Sequence, residues 1–294
     1  MTALFGEAPA KINRELRVGA RRTDGFHEIL SRFTSIDLAD RIEVEPAGSL
    51  ELVCEGRPVP SDDTNLVLRA ARALARELGA EPRARIRLFK RIPIGAGLGG
   101  GSSDAAETLR LLRALWSPEL SDERLAAIAP ALGSDVPFFL EGGEAQVSGR
   151  GETVVPLPDA PPAELLLVFP PFPISTRDVF GALARSRASA GSLPPRLEIE
   201  SSGGFFGPNE LASAVLETKS AMKEYLESAA EAATEFGITG SGSTVVLLGA
   251  DPGAEQWLAQ RHPEASFLRT RTLSREEYRA ATLPPGGSEW TSRK

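Results

Sequence analysis

Glycine is concentrated in one short segment of this chain, and that segment limits what the surrounding residues can form. Five of the seven residues in 95–101 are glycine, and Ser102, Ser103 and Asp104 follow directly. Glycine loses more backbone entropy on folding than other residues, so such a run indicates a special backbone conformation. The apolar residues that follow recur at helical spacing: Ala105, Leu109, Leu112 and Trp116. The glycines therefore lead into a helix N-terminus, whose free N–H groups and partial positive charge suit a phosphate.

Other glycine motifs match this segment less well. A Walker A loop ends in Gly-Lys-Ser/Thr, whereas serine follows Gly101. Gly95, Gly97 and Gly100 do match a dinucleotide fingerprint. Pro93, however, interrupts the approach, and that fingerprint usually opens a domain. The G-x-S-x-G elbow of hydrolases is missing around these serines. A dinucleotide site and a tight turn without a ligand stay open as weaker alternatives to a triphosphate site.

Composition narrows the class of protein. With 294 residues, 41% hydrophobic and 25% charged, the chain can form one large globular domain or two ordinary ones. The net charge of −7 argues against nucleic-acid binding, which needs a basic face. A single cysteine, Cys54, excludes an intramolecular disulfide and thiol-cluster metal sites. We find neither a signal peptide nor an apolar run of membrane-spanning length, so we expect a cytoplasmic protein without a membrane partner.

The pattern along the chain predicts an α+β fold. Alternation and turn signals over 10–55 predict strands and hairpins, and a further strand is predicted at 85–90. A helix should begin after Thr64 or Asn65 and end at Gly79, and another should span 121–131.

The second half of the chain has a different composition. Buried strands are predicted at 165–169 and 244–248, and one helix through Leu211, Val215, Thr218 and Met222. Residues 185–208, rich in Ser, Gly and Pro, are predicted to be mobile. The proline-rich stretch 156–162 indicates a domain boundary. We expect an ATP-binding domain at 1–157, a substrate-binding domain at 158–283 and a frayed tail at 284–294.

Four segments together resemble the galactokinase, homoserine kinase, mevalonate kinase and phosphomevalonate kinase (GHMP) superfamily. They are 9–13, 92–106, 133–139 and 240–243. Four further segments narrow the resemblance to the 4-diphosphocytidyl-2-C-methyl-D-erythritol kinase family: 17–22, 24–28, 149–152 and 208–211. The likeness spans residues 8–271. It implies a two-domain α+β architecture with the active site in the interdomain cleft. It also implies an enzyme that uses ATP and Mg²⁺ to phosphorylate the 2-hydroxyl of that substrate, in non-mevalonate isoprenoid biosynthesis.

The resemblance assigns the glycine segment to the nucleotide. The residues implied to bind ATP are Asn65, Pro93, Gly95, Ala96, Gly97, Leu98, Gly99, Gly100, Gly101, Ser102 and Ser103. Ser102 and Ser103 would offer hydroxyls to phosphate or magnesium. A plain helix cap at Asn65 would look the same in the sequence. Asp104 is expected in the first helical turn with a structural role. No residue is assigned as a metal ligand, so we expect phosphates and water to hold the magnesium.

Two residues carry the chemistry that the resemblance implies. Phosphoryl transfer depends on positioning, on charge stabilisation and on one group that accepts the hydroxyl proton. Asp135 matches the catalytic base of the family. Lys11, among apolar residues, would keep that carboxylate ionised and orient the hydroxyl. From the residues alone, a turn aspartate and an edge-strand lysine remain open alternatives.

Substrate recognition is likewise implied by the resemblance. The residues concerned are Lys11, Asn13, Phe26, His27, Asp135, Thr176 and Phe180. The substrate carries a cytidine diphosphate head, and a pyrimidine needs an aromatic face for stacking. Phe26 stands where the family often has tyrosine, so a hydrogen bond from that hydroxyl is lost. Arg14 stands where the family usually has an apolar residue, which questions the packing of its strand. We expect His262, in a polar stretch, to be exposed.

Three other functions remain open at this point. They are another small-alcohol kinase of the superfamily, a non-catalytic nucleotide-binding regulator on the same fold, and a Rossmann oxidoreductase. Competition by cytidine diphosphate tests the first, and nicotinamide-cofactor binding would reveal the third. The presence of Asp135 and Lys11 argues against the regulator. The expected partner is the small-molecule substrate, and the chain could be a monomer or a homodimer.

Overall fold

The computed structural model describes residues 3–190 and 204–282, in which two β-sheets are combined with helices. The first half contains β1 (Leu4–Arg21), β2 (His27–Glu45), β3 (Leu50–Gly56), α1 (Leu66–Leu78), β4 (Ala84–Lys90), α2 (Gly100–Trp116), α3 (Asp122–Leu132), α4 (Val136–Glu141), β5 (Glu144–Gly149) and β6 (Thr153–Pro156). The second contains β7 (Glu164–Phe169), α5 (Thr176–Ala190), α6 (Ala212–Thr218), α7 (Met222–Ala232), β8 (Glu235–Ile238), β9 (Val245–Leu248), α8 (Ala254–Arg261), β10 (Ser266–Arg271) and α9 (Arg275–Thr282). The predicted α+β class is confirmed.

The larger sheet has the strand order β3-β4-β2-β5-β6, with β1 paired to β2. Its β3–β4 pair is parallel, and the long β1–β2 pair is antiparallel. The register of β1 against β2 shifts between Pro9 and Lys11 and again between Asn13 and Glu15. Such irregularities re-aim the side chains beside them. They flank two of the predicted site residues.

The smaller sheet is antiparallel throughout, in the order β10-β7-β9-β8. The chain crosses from the larger sheet to this one between β6 and β7. Leu16, Val18 and Ile29, from the far end of the β1–β2 pair, belong to the same buried cluster as the helices of the second half. The division at residues 157 and 158 stays a prediction.

The predicted limits of α1 are confirmed, with Asn65 as the cap. Its side-chain oxygen accepts a hydrogen bond from the N–H of Val67 (2.9 Å). Gly79 ends the helix in the left-handed conformation, with φ +62°, which glycine adopts without a steric penalty. The predicted strand at 85–90 and the helix at 121–131 correspond to β4 and α3, within a residue at each end.

Helix α2 differs from the amphipathic helix that the apolar spacing predicts. Every residue from Ser103 to Leu112 is buried, because α1, α4 and the larger sheet surround the helix. The interior therefore contains charged side chains of α2, including Asp104 and Glu107. Since α2 begins at Gly100, Asp104 lies in the second turn and not in the predicted first one.

Two predictions for the second half of the chain are wrong, and two others are not tested. The helix predicted through Leu211 and Met222 is two helices, α6 and α7, separated by residues 219–221. Residues 185–190, within the segment predicted to be mobile, belong to α5. The predictions for 191–203 and for the tail at 284–294 lie outside the described residues.

His262 is buried, contrary to the expected exposure. Its Nε2 lies 2.9 Å from the hydroxyl of Ser228, and its ring stacks on Tyr225 at 4.2 Å between ring centroids. These partners come from α7, which the local polarity around His262 does not indicate. In the described part of the chain, no helix is long and apolar enough to cross a membrane.

Candidate active site

A cavity of about 1020 Å³ brings together almost all of the predicted site residues. Those that line it are Lys11, Asn13, Phe26, His27, Asn65, Pro93, Gly95, Ala96, Gly97, Leu98, Gly99, Gly100, Gly101, Ser102, Asp135, Thr176 and Phe180. The volume is at the upper end of the range for small-molecule sites. Segments that are far apart in the sequence thus face one space.

The glycine segment forms the wall at which α2 begins. Gly95, Gly97 and Gly99 have φ values of +66°, +77° and +70°, a region that side chains other than glycine rarely adopt. A side chain at Gly97 would overlap the carbonyl oxygen of Thr239, and one at Gly99 would lie 2.7 Å from the ring of Phe139. The backbone can therefore follow this path only with glycine. The wall presents main-chain groups and the N-terminus of α2 to the cavity.

The structure separates the two serines that follow the glycines. Ser102 lines the cavity. Ser103 is buried, its hydroxyl donates to the carbonyl oxygen of Pro9 (2.7 Å), and its N–H donates to Gly99 (3.0 Å). Both donors are engaged within the protein, so Ser103 anchors α2 to β1, and its role toward phosphate or magnesium stays a prediction.

Asn65 both caps α1 and lines the cavity. Its amide nitrogen donates to the carbonyl oxygen of Pro60 (2.6 Å) while its oxygen holds the N–H of Val67. The apolar side chains of Leu66, Leu88 and Ile94 line the same cavity. The two interpretations of Asn65, as helix cap and as cavity residue, are therefore compatible.

Asp135 lies directly before α4, at the N-cap position. Among the described residues its side chain makes no capping hydrogen bond, so the carboxylate is not committed to the helix. Its side chain is 28% exposed, and Oδ2 lies 3.7 Å from the Nζ of Lys11. An acid that faces a cavity beside a buried lysine suits proton acceptance better than it suits a turn.

Lys11 connects several parts of the site. Its Nζ donates to Asn13 Oδ1 (2.6 Å) and to the carbonyl oxygen of Gly97 (3.1 Å), and it lies 4.4 Å from the centre of the Phe33 ring. Burial lowers the pKa of Lys11, and the charge of Asp135 opposes this shift. The lysine thus joins the acid to the glycine segment.

The segment 239–243, which contains Gly240 and Gly242, lies against the glycine wall. The N–H of Asn13 donates to Thr239 Oγ1 (2.9 Å), which in turn donates to the carbonyl oxygen of Gly97 (3.2 Å). Gly240 and Ser241 line the cavity. Ser241 Oγ lies 2.8 Å from Thr176 Oγ1. This segment is therefore part of the site.

Aromatic side chains occupy another end of the cavity. The rings of His27 and Phe180 stack at 5.1 Å between centroids. Phe26 is 47% exposed, and the guanidinium of Arg150 lies 5.0 Å from its ring centre. Burial, Arg21 and Arg187 lower the pKa of His27. A neutral imidazole has one donor and one acceptor nitrogen, as recognition of a base edge requires.

Arg14 is accommodated by burial within an ion pair. Its Nη1 lies 2.8 Å from Glu144 Oε2, and its Nε donates to the carbonyl oxygen of Phe205 (2.9 Å). The guanidinium also lies 4.1 Å from the Phe205 ring centre. The strand therefore packs normally around this arginine, away from the cavity.

Three arginines line the cavity without a predicted role: Arg21, Arg150 and Arg177. Arg150 lies within the motif 149–152, which indicated the family without assigning a role. Arg177 directly follows the predicted Thr176. Since the chain as a whole is acidic, this local positive charge suits a ligand with several phosphates.

Comparison with known proteins agrees with this geometry. Residues 65–143 match the family model "GHMP kinases N terminal domain". The chain is 38% identical over 280 residues to a 4-diphosphocytidyl-2-C-methyl-D-erythritol kinase of Rhodococcus jostii, covering 90% of this chain and 89% of the relative. A protein of the same name from Deinococcus radiodurans is 40% identical over 267 residues, with coverages of 87% and 89%. A crystal structure of a 4-(cytidine 5'-diphospho)-2C-methyl-D-erythritol kinase matches with a TM-score of 0.72, 33% identity and coverages of 91% and 98%.

The fold and the glycine-walled cavity define a GHMP kinase. Such an enzyme is a phosphotransferase that uses ATP. Within this class, the chain belongs to the 4-diphosphocytidyl-2-C-methyl-D-erythritol kinase family. These relatives confirm, over most of the chain, the resemblance noted in the sequence.

Proposed function

We propose that this kinase transfers the γ-phosphoryl group of ATP to the 2-hydroxyl of 4-diphosphocytidyl-2-C-methyl-D-erythritol, a step of non-mevalonate isoprenoid biosynthesis. The observation that carries the proposal is the position of Asp135. Its uncommitted carboxylate lies beside Lys11, in the cavity that has the glycine wall at one end and the aromatic side chains at another.

The glycine wall would bind the triphosphate. The N-terminus of α2 has free N–H groups, and its dipole favours negative charge. Ser102 adds a hydroxyl from the same turn. The apolar end beside Asn65 would hold the adenine. Main-chain donors are fixed in place before the reaction, so they stabilise the charge on the transferring group without reorganisation.

Asp135 would accept the proton of the substrate hydroxyl. The hydroxyl oxygen forms a bond to the γ-phosphorus, the bond from this phosphorus to the ADP oxygen breaks, and the hydroxyl proton goes to the carboxylate. Lys11, whose Nζ lies 3.7 Å from this carboxylate, would orient the hydroxyl. Lys11 is itself held by Asn13 and Gly97, so its position is defined.

The aromatic end would bind the cytidine head. Phe26, His27 and Phe180 provide ring faces for stacking, and a neutral His27 provides a donor and an acceptor for the base edge. Thr176 and Asn13 contribute further polar groups. Arg150 and Arg177 line the cavity and would offset the charge of the diphosphate.

Magnesium fits the donor set of the cavity as an ion held mainly by the nucleotide. Mg²⁺ prefers oxygen ligands and usually keeps several waters beside one or two carboxylates and the substrate phosphates. The described residues contain no cluster of three or more His, Cys, Asp or Glu that could hold a metal. Asp135 and Ser102 are oxygen donors on the cavity wall. When bound, the ion would neutralise charge on the phosphates.

The test is ATP consumption with 4-diphosphocytidyl-2-C-methyl-D-erythritol by the wild type and by Asp135→Asn. We expect kcat of the variant to fall by about 1000-fold, in the range for loss of a general base. The KM for ATP should stay within about twofold, because the glycine wall is intact. Glu141→Gln is the matched control: this acid ends the same short helix and pairs with Arg279 at 3.9 Å.

The outcomes separate the proposal from its alternatives. Turnover that survives in Asp135→Asn would eliminate the aspartate as an essential base. A wild type that binds ATP without turnover would favour another alcohol substrate or the regulator. Inhibition by cytidine diphosphate, competitive with the acceptor, would support the assignment of the aromatic end.

A further inference from the structure

Three charged side chains are buried together behind the glycine wall. Lys90 ends β4, Asp40 lies in β2 and Asp104 lies in α2. The Nζ of Lys90 forms an ion pair with Asp40 Oδ2 and another with Asp104 Oδ2, the second at 2.6 Å. All three side chains are at most 4% exposed. We call this group the Lys90 cluster.

The Lys90 cluster connects the two ends of the glycine segment. Before the segment, Asp40 Oδ1 accepts hydrogen bonds from the N–H groups of Arg91 (2.5 Å) and Ile92 (2.9 Å). After it, Asp104 lies in the second turn of α2. Lys90 bridges both carboxylates, so the residues that lead into the glycines are tied to the helix that leads out.

The ammonium group also lies close to the start of α2. A side chain on Gly100 would come within 2.9 Å of the Nζ of Lys90. Lys90 and Asp104 both line the cavity. Although burial by itself lowers the pKa of Lys90, the carboxylates of Asp104 and Asp40 outweigh it and raise that pKa. The lysine therefore remains a cation directly beneath the helix N-terminus.

Burial of these charges has no obvious benefit for stability. Ion pairs in a protein interior commonly contribute less than well-packed apolar residues would, because desolvation opposes the mutual attraction. In addition, Asp104 Oδ1 is buried without a hydrogen-bond partner among the described residues. Such an arrangement is better explained by the geometry that it imposes on its neighbours.

We infer that the Lys90 cluster positions the glycine segment for nucleotide binding, so that Lys90, Asp40 and Asp104 act as positioning residues for ATP. This inference rests on the proposed function, since it needs the glycine segment to hold the triphosphate. The cluster holds both ends of the segment at a set separation. The N–H groups between them then converge on the phosphates without a conformational search.

A second buried pair of an acidic and a basic side chain on the same helix provides a matched control. Glu107 and Arg110 are also buried, and their side chains lie 3.1 Å apart. Arg110 Nη2 donates to the carbonyl oxygen of Phe139. The Arg110 guanidinium also lies 5.7 Å from the ring centre of Tyr278 in α9. Neither Glu107 nor Arg110 is among the described residues that line the cavity.

The experiment compares wild type, Asp40→Asn and Glu107→Gln in steady-state kinetics with both substrates. In Asp40→Asn the side-chain oxygen can still accept the two N–H groups, but the new NH₂ group faces the ammonium of Lys90. We expect the KM for ATP to rise about tenfold, which corresponds to about 1.4 kcal/mol, while the KM for the acceptor stays within twofold. Glu107→Gln should leave both KM values unchanged.

A purely structural role would give a different result. If Asp40→Asn and Glu107→Gln lose stability alike and neither changes the KM for ATP, the inference is overturned. Equal changes in both KM values of Asp40→Asn would overturn it as well. A wild type that does not bind ATP would instead refute the proposed function, so the two failures are distinguishable.

The milder variant Asp104→Asn keeps the inference testable if Asp40→Asn does not fold. It is nearly isosteric and removes one carboxylate from the Lys90 cluster. We expect the rise in melting temperature produced by saturating ATP to be smaller in Asp104→Asn than in the wild type and Glu107→Gln. An undiminished rise would overturn the inference.

Discussion

The nucleotide end and the aromatic end of the cavity are built from different parts of the chain and by different means. The glycine wall of the proposed nucleotide end is one continuous segment, 93–102, whose two ends are tied by the Lys90 cluster. The aromatic end is assembled from side chains of residues about 150 positions apart, His27 and Phe180, beside the half-exposed Phe26. One end depends on backbone conformation, and the other depends on the identity of side chains.

Substitutions at the two ends should act in different ways. A main-chain donor cannot be removed by changing a side chain, so the nucleotide end is vulnerable mainly to added bulk. A stacking ring can be removed without disturbing the backbone, so the aromatic end should lose affinity for one substrate and keep its fold. The two ends should therefore respond differently in kinetics and in stability.

Of the substitutions at the two ends of the cavity, Gly97→Ala should have the largest effect. Left-handed backbone costs roughly 1–2 kcal/mol for a residue with a Cβ, and here the added carbon also overlaps the carbonyl oxygen of Thr239. We expect kcat/KM for ATP to fall by about 100-fold or more, equivalent to about 2.7 kcal/mol. Steady-state rates measured over a range of ATP concentrations provide the check.

Gly79→Ala is the control for this prediction. Gly79 also has a positive φ, +62°, but a Cβ there would meet no atom within 4 Å. It should lower the free energy of unfolding by about 1 kcal/mol and leave the KM for ATP unchanged. If both variants bind ATP normally, the assignment of the triphosphate to the glycine wall is contradicted.

An intermediate effect is expected at the aromatic end from Phe180→Leu. Stacking of a base on an aromatic ring contributes about 1–3 kcal/mol, so the KM for the acceptor should rise about tenfold or more. The KM for ATP should not change, because Phe180 lies among the aromatic side chains near His27. Initial rates at varied acceptor and saturating ATP measure the effect.

Phe172→Leu controls for loss of an aromatic ring near α5. Phe172 packs edge-on against Tyr225 at 5.9 Å, in the core of the second half. This variant should lose some stability and keep both KM values. A rise in the acceptor KM of similar size in both variants would mean that Phe180 acts through packing and not through stacking.

The smallest effect on substrate binding is expected at Glu107, which belongs to neither end. Burial raises its pKa from 4.5 to about 8, although Arg110 opposes the shift. Folding thus favours the protonated acid, so the stability that Glu107 contributes is complete below pH 4.5 and is lost as the pH rises through 8. Relative to the wild type, Glu107→Gln should become more stable across this window by at most about 1.4 kcal/mol per pH unit.

Denaturant unfolding of both proteins at several pH values between 4 and 9 tests this prediction. The difference between the two free energies of unfolding should level off above pH 8. A difference that is constant over the whole range would show that folding does not raise the pKa of Glu107. The KM for ATP should be the same in both proteins at each pH.

Local signals predicted much of the fold. The cap at Asn65 and the stop at Gly79 set the limits of α1, because each acts on backbone groups within a few residues. The glycines that lead into α2 were recognisable for the same reason. The predicted exposure of His262 was wrong, since its partner Ser228 lies far away in the sequence.

The sequence by itself determined the conformation of the glycine segment, its continuation into a helix and, through its motifs, the family. These features depend on steric limits and residue identities that act locally. Only the tertiary structure decided that Asp135 meets Lys11, that Ser103 turns away from the cavity and that Lys90 is buried between two carboxylates. Each of these contacts joins separate strands and helices, and the balance of desolvation, charge and packing exists only once those elements are assembled.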